Sequence, residues 1–521
     1  MPKLIELTLT PQQAASEQTC ALEAAHTLGI KQSSIAFSRI VRRSIDARKR
    51  GNIKVNIALE VWIDHESLPQ DKIHFDYPDV SKATEIIIVG SGPAGLFAAL
   101  ELIELGYRPI VLERGKDVSA RKKDIAAVNR NEPVNPDSNY AFGEGGAGTY
   151  SDGKLYTRSK KRGENRKALE IFRFHGADES ILYDAHPHIG TDRLPGIIER
   201  IRQTIEQAGG RVVFDTRATG FILKEDKTTG VTDQNGNSIE GAAVILAAGH
   251  SARDIYELLH EQGILIEAKP FAAGVRIEHP QSLIDSIQYK TAERGEYLPP
   301  ASYSLAVQAG GRGVYSFCMC PGGFIVPALT SPGECVVNGM SPSGRNNVYA
   351  NSGVVTQITE ADFADLTPHF GPLAGLRFQQ QLEMMGFAQG GGNQIAPGQR
   401  LDQFVSNNPD SSILPTSYHP GLIPSPMNKW LPKFIAKSLR EGIRLFDNKM
   451  KGYITDQAQV IGIESRTSSP VRIPRDRETY IHPQIGGLFP AGEGAGYAGG
   501  IISSAVDGIQ TAKAVAQYLK K

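Results

Sequence analysis

The sequence predicts an α/β protein: a parallel-sheet unit beginning near residue 83, a mixed β-sheet domain inserted into that unit, and a small α+β domain ahead of both. Three observations carry this expectation. Ile86–Val89 is a run of four β-branched residues, suited to a strand buried on both faces, and a glycine-rich turn and an apolar helix follow at once. Residues 242–249 form a second strand of small apolar residues ending in glycine. Residues 271–480 change character, with Val-, Tyr- and Phe-rich strands, many prolines and long irregular joints, as a mixed sheet would have.

Residues 1–82 stand apart. Leu4–Leu9 reads as a strand, Pro11–Leu28 as helical, and Ile35–Ile45 and Asn52–Ile63 as two further strands. Lys54, Asn56 and Glu60 alternate with Val55, Ile57, Leu59 and Val61, as in a half-buried hairpin. Its turn carries Arg48-Lys49-Arg50, with Arg42 and Arg43 nearby. A nucleic-acid patch and a solvated hairpin tip both fit, and the acids in the same segment favour the tip. Residues 64–83, with Pro69 and Pro78, read as a linker.

The unit at 83–270, completed by 481–521, opens with strand Ile86–Val89 and Gly90-Ser91-Gly92-Pro93-Ala94-Gly95. Pro93 suits a first helical position, where its missing N–H costs nothing. Leu96, Ala99, Leu100 and Ile103 give the helix one apolar face. Gly90 permits a tight turn, Gly92 lets backbone approach a pyrophosphate, and Gly95 lets the helix lie close to the strand. The helix N-terminus then offers free N–H groups to phosphates. Glu113, 18 residues past Gly95 at the end of the next strand, is placed to accept hydrogen bonds from a ribose. Two other matches to the spacing lack this context: Gly143-x-Gly145-x-x-Gly148 follows turn chemistry, and Gly494-x-Gly496-x-x-Gly499 has no acid after it.

Further along, residues 142–155 hold five glycines, with Thr149, Ser151 and Lys154 as donors to a closely wrapped ligand. Thr191 is placed to cap a helix running through Ile197–Ile205, and Thr219–Gly241 reads as a hairpin with Asn235-Gly236 at its turn. His186 and His188 lack a third ligand and read as turn residues, so no metal site is expected.

In the inserted domain, Cys318-Met319-Cys320 puts two thiols on one side of a strand, either redox-active or structural. Arg400, Arg466, Arg472 and Arg475 lie on loop-like segments; convergence on an anionic substrate and surface ion pairing are equally open. The last element has seven glycines between Gly486 and Gly500, with Glu493 among them, and then opens a helix to Tyr518. A structural helix alone does not call for that many.

Lys+Arg and Asp+Glu number 56 each, so no global field favours nucleic acid or an anionic membrane. There is no signal-peptide pattern and no apolar run of transmembrane length, and four cysteines do not make a disulfide scaffold. A cytoplasmic protein is expected.

Gly90-Ser91-Gly92-Pro93-Ala94-Gly95 with Leu112-Glu113-Arg114-Gly115 resembles the adenosine site of the glutathione-reductase-type FAD flavoproteins. Val244–Gly249 and Gly492-Glu493 are similar to two further motifs of that group. More narrowly, residues 146–155, 317–323, 464–470 and 492–500 resemble a family of largely uncharacterised bacterial FAD-dependent dehydrogenases, NAD(P)/FAD-dependent oxidoreductases whose layout includes the small N-terminal domain.

The resemblance implies FAD held by a Rossmann-like FAD-binding domain, with the inserted mixed β-sheet as substrate domain. Gly90, Gly92, Pro93, Ala94, Gly95, Glu113 and Arg114 would hold the ADP half. Gly145, Gly146, Thr149, Ser151, Lys154 and Leu155 would flank pyrophosphate or flavin, with Ala218, Ala248 and Gly249 beside them. Gly492, Glu493, Gly499, Gly500 and Ile501 would face ribityl and isoalloxazine. No Cys-x4-Cys follows Gly95, against a disulfide reductase, and no second strand-framed fingerprint marks a NAD(P)H domain, so NAD(P)H would be a transient donor at the flavin. The expected reaction is hydride transfer through flavin N5 with a small-molecule substrate. Cys318, Cys320, His279 and Arg466 are the catalytic candidates. A C=C reductase of a hydrophobic substrate and an RNA-associated flavoprotein using the Arg42–Arg50 hairpin are the rivals. Oligomeric state is open.

Overall fold

The computed structural model describes residues 2–49, 51–64, 73–156, 165–410 and 412–520. Strands Lys3–Leu9, Lys54–Ile63 and Ile35–Asp46 form an antiparallel sheet with Lys54–Ile63 in the centre. Val55, Ile57, Leu59 and Val61 point to one side, where Leu7, Leu9, Cys20 and Ala24 close a small core. The helical segment is broken in two, Pro11–Ala14 and Glu17–Leu28, because Ser16 takes an extended conformation and caps the second piece by accepting from Thr19 N. Arg42, Arg43 and Arg48 each pair with a carboxylate, of Glu6, Asp184 and Asp46. Arg50 lies outside the described residues.

The central sheet has five parallel strands in the order Leu488–Pro490, Val244–Leu246, Glu85–Val89, Arg108–Leu112, Arg211–Val213. Ile86–Val89 is buried on both faces, as its composition requires. Helices Pro93–Glu104 and Ile501–Leu519 cross on one face. The other face carries helix Arg253–Glu261 and a small antiparallel sheet, Ala218–Lys224, Lys227–Asp233 and Ser238–Glu240. That sheet replaces the expected single hairpin: a tight turn at Glu225-Asp226 adds a strand before the Asn235-Gly236 turn. Thr191 does not cap the helix Leu194–Gln207; its hydroxyl points to Met340 Sδ at 3.9 Å. Because the last strand and helix of this unit come from beyond residue 481, the chain leaves the sheet and returns to it.

The two helices meet where Gly508 faces Ala94. A Cβ at 508 would lie 2.1 Å from Ala94 O. Gly508→Ala is therefore expected to force the helices apart and cost on the order of 1–3 kcal/mol of stability, read by chemical denaturation.

The inserted domain is a seven-stranded mixed sheet, ordered Ala306–Ala309, Arg312–Cys320, Tyr349–Ile358, Phe271–Pro280, Gln459–Glu464, Ala396–Arg400, Leu422–Pro424, antiparallel but for the last pair. Along Phe271–Pro280, Phe271, Ala273, Val275 and Ile277 join a core with helix Lys433–Lys449. The alternate position, Arg276, turns to the opposite face, where it is wholly buried. There it donates to Glu464 at 2.8 Å, Asn351 at 2.6 Å and Asn338 at 3.0 Å. That polar face is the one presented to the FAD-binding unit. Among the described residues no helix is long and apolar enough to cross a membrane.

Candidate functional site

A cleft of about 370 Å³, open to solvent, runs between the five-stranded unit and the polar face of the inserted sheet. Glu113 and Glu493 both line it, so three segments remote in sequence share a single cavity. Two helix N-termini aim at it, one at Gly92-Pro93-Ala94 and the other at Gly500-Ile501. Neither helix has a side-chain cap. Their first N–H groups, with the positive ends of both dipoles, are thus placed to face an anionic or electron-rich ligand.

The glycines fall into two kinds. Gly90 has φ +105°, and a Cβ there would sit 2.4 Å from Ala247 O; a Cβ on Gly95 would sit 1.9 Å from Gly90 O. These two let strand, turn and helix close on each other. Gly92, Gly249, Gly499 and Gly500 are different: a Cβ on any of them would meet nothing within 4 Å. All four line the cleft, where side chains would fill the space a ligand's backbone-hugging groups need.

Glu113 is buried, and its carboxylate is already shared four ways. Oε2 accepts from Ser91 N at 3.0 Å and Ser91 Oγ at 2.7 Å, and Oε1 from Gly115 N and Gly143 N at 2.9 Å each. A carboxylate offers about four lone-pair sites. Glu113 thus ties three loops together, and a ligand hydroxyl reaching it would have to share or displace the Ser91 hydroxyl. Arg114 is fixed by Asp137 and Asp254 and lies 4.3 Å over the Phe142 ring.

Burial pushes the Glu493 carboxyl up to about 7, opposed by Lys269 and reinforced by Cys318. Its Oε1 is 3.6 Å from His250 Nδ1. Burial holds that imidazole down to about 4, helped by the charges of Arg466, Arg253 and Lys269, so it is neutral at pH 7. A carboxyl raised by burial costs stability once it must ionise. The cost is absent below the unfolded Glu range and grows as pH rises toward 7. Glu493→Gln is expected to leave stability unchanged near pH 4 and raise it by on the order of 2 kcal/mol at pH 8 in flavin-free protein, a figure reduced for the 24% of the side chain still exposed. Thermal denaturation at the two pH values reads this.

Behind the cleft, Arg253 and Arg466 share two carboxylates. Glu334 accepts from both at 2.7 Å, and Glu383 from Arg253 at 2.8 Å and from Arg466 at 3.0 and 3.2 Å. Ser465 Oγ adds a bond to Glu383 at 2.6 Å. This cluster ties helix Arg253–Glu261 to the inserted domain and places Arg466 at the cleft wall.

Several expected residues fall elsewhere. His279 is buried in the core of the inserted domain, its Nε2 2.8 Å from Tyr453 O and its ring against Tyr453. Its strand position puts it opposite Arg276, away from the cleft. Gly95, Gly145, Thr149, Leu155 and Gly492 support the cavity from behind; Thr149, for example, spends its hydroxyl on Glu144 O at 2.7 Å. The arginines do not converge: Arg400 pairs with Asp402, and Arg475 chelates Asp507 between Tyr480 and Tyr497, leaving Arg466 alone of the four at the cleft. Gly90, Gly92, Pro93, Ala94, Glu113, Arg114, Gly146, Ser151, Lys154, Ala218, Ala248, Gly249, Cys318, Glu493, Gly499, Gly500 and Ile501 line the cavity. Asp152, His250, Phe317 and Asn338 also line it and were missed, since nothing in their spacing marks them.

Residues 83–126 match the family described as FAD binding domain, and residues 270–467 the family described as FAD-dependent protein, C-terminal domain-like. Residues 1–62 match a domain of unknown function. An uncharacterised protein of Clostridium beijerinckii is 40% identical over 505 residues, covering 93% of each chain. The chain belongs to this family of FAD-dependent oxidoreductases. The flavoprotein is also similar to Protein FixC of Escherichia coli K12, 26% identical over 208 residues, 39% of this chain and 45% of FixC. Among solved structures it resembles a geranylgeranyl bacteriochlorophyll reductase-like protein from Thermoplasma acidophilum (TM-score 0.35, 14% identity, 84% and 79% coverage). A flavin-dependent brominase variant is similar at TM-score 0.37 and 12% identity, with 84% and 81% coverage. FAD is the cofactor, and the open glycine cradle with its two helix N-termini fits it.

Proposed function

We propose that this flavoprotein is a dehydrogenase of the glutathione-reductase-type group, in which hydride moves between a small organic substrate and the flavin. The observation that carries this reading is the shared cleft: its walls come from the FAD-binding unit and from the inserted sheet, whose Cys318 lies close enough to Glu493 to act on its charge. Space beside Phe317, Cys318 and Asn338 is thus left for a substrate next to the redox centre. Bound flavin supplies hydride transfer at N5. The chain's own part is to hold negative charge near the helix start at Ile501, to shield the site from water with Phe317 and Ile501, and to orient the substrate. Lys154 and Arg466 are the cations nearest an anionic group on that substrate, although Arg466 is already neutralised by Glu334 and Glu383.

A single dinucleotide-binding sheet among the described residues supports NAD(P)H as a transient donor at the same face. Four free cysteines suit the cytoplasm. Arg42, Arg43 and Arg48, each paired with an acid, argue against nucleic acid as a partner. Anaerobic titration of the yellow protein with NADH and with NADPH tests the reading. Bleaching by one of them is the expected result. Bleaching by neither would overturn NAD(P)H as donor and leave the organic substrate as the direct source of hydride.

A further inference from the structure

The two thiols of Cys318-Met319-Cys320 do not sit on one side of a regular strand. Strand Arg312–Cys320 pairs Phe317 with Gly353 and then Cys320 with Asn351, so three steps on one strand oppose two on the other. This is a β-bulge, a device that re-aims a side chain next to a site. Its centre is Cys318, at φ +47°, a conformation a non-glycine residue rarely takes. The turn brings Cys318 to the cleft wall, half-buried beside Phe317 and Asn338, while Cys320 stays completely buried behind it.

The consequence for the pair is a matter of span. Two residues apart in an extended strand, cysteine Cα atoms lie about 6.7 Å from each other, at the outer limit for a disulfide. A left-handed residue shortens that span. Cys320 Sγ already donates to Cys318 O at 3.2 Å, so its sulfur is folded back toward its neighbour. Cations surround the segment: Lys154 Nζ donates to Met319 O, and Arg276 Nη1 to Cys318 O at 3.4 Å. The other two cysteines are remote, Cys20 in the N-terminal core and Cys335 beside Ile461.

We propose that Cys318 and Cys320 are a redox-active dithiol at the flavin end of the cleft, which exchanges two electrons with the bound cofactor by making and breaking a disulfide between them. This rests on FAD binding, and not on the choice of NAD(P)H as donor. In the oxidative direction one S–S bond forms and two S–H bonds are lost. Both electrons and one proton pass to oxidised flavin, and the second proton goes to solvent; reduction is the reverse. The thiol environment fits the division of labour. The neighbouring Cys320 thiol draws the Cys318 thiol well below its ordinary pKa, against burial and with Lys154 and Arg276 assisting. Cys320 is pushed up by Cys318 and by burial. A thiolate at the cleft with a protonated partner behind it is the arrangement in which the exposed sulfur reacts and the inner one resolves. Asp152, Glu464 and Glu493 are the acids facing the pair, and Asp152 and Glu464 are held by Arg345 and Arg276.

Stoichiometry tests this on the whole flavoprotein. Anaerobic titration of oxidised protein with dithionite is expected to consume about two two-electron equivalents per flavin, against about one in Cys318→Ser and in Cys320→Ser, with Cys335→Ser unchanged. Differential alkylation read by mass spectrometry supplies a second measure. After ferricyanide treatment, Cys318 and Cys320 are expected to resist alkylation until reduced, while Cys20 and Cys335 become labelled on unfolding alone. One equivalent in the parent protein with both thiols alkylated after oxidation would overturn the dithiol while leaving the flavoenzyme standing. A protein that purifies without flavin would remove both.

Discussion

Gly92→Val is expected to give a folded protein that purifies nearly colourless. A Cβ at 92 meets no polypeptide atom within 4 Å, so the fold tolerates it, but Gly92 lines the cleft beside Gly146, where a side chain takes up ligand space. The loss expected is at least about 100-fold in FAD affinity, roughly 2.7 kcal/mol, from obstruction of the close backbone approach. Fluorescence titration of the flavin-free protein with FAD measures it, and circular dichroism checks the fold. Gly95→Val is the contrasting case. Its first side-chain carbon would overlap Gly90 O at 1.9 Å, so that variant is expected to fail at folding instead of at binding. Retention of full flavin content by Gly92→Val would mean that the pyrophosphate lies elsewhere.

Glu383→Leu is expected to be the most damaging single change away from the cofactor. Glu383 is wholly buried and answers two buried guanidinium groups at once, so its removal leaves Arg253 and Arg466 with Glu334 as their one shared carboxylate. Breaking a buried pair from one side costs about 3–5 kcal/mol. At about 2–4 °C per kcal/mol for a domain of this size, Tm should fall by on the order of 10 °C. The parent protein should also weaken in acid. Arg253 and Arg466 overcome burial and hold Glu383 well below the ordinary Glu range, to about 2. A group depressed in this way contributes stability above its unfolded pKa and loses it as pH falls through the folded value. Glu334 is shifted the other way, upward, by burial and by Glu383, and takes the first proton of the cluster. Melting curves from pH 6 down to pH 2 should therefore draw together for parent and variant, most of the change falling between the unfolded Glu range and pH 2, and a gap that does not narrow over that interval would contradict this account.

Much of the FAD-binding unit was legible because its signals are local. Four β-branched residues before Gly90-x-Gly92-x-x-Gly95 fix a buried strand and a helix entry, and each glycine's reason can be stated from neighbours within a few residues. The N-terminal hairpin was legible for the same reason, since period-two alternation needs no tertiary information. His279 and the arginines were not. Whether a polar residue in a strand faces a core or a cleft depends on which face of the sheet meets the other domain. His279 and Arg276 lie three positions apart on one strand and point to opposite sides. The Arg253–Arg466 cluster joins residues 213 positions apart in the chain, beyond the reach of any spacing rule.

By itself the sequence determined where glycine turns and helix starts open backbone toward a dinucleotide-binding cleft, because both are written in consecutive residues. Only the tertiary structure decided what stands opposite the cofactor. Glu113 turned out to be saturated by four protein hydrogen bonds, Glu493 and His250 were set side by side, and a bulge turned Cys318 into the cleft. The physical reason is that hydrogen-bond satisfaction, burial and the sign of a local field are properties of surroundings assembled from distant segments, and no residue carries them alone.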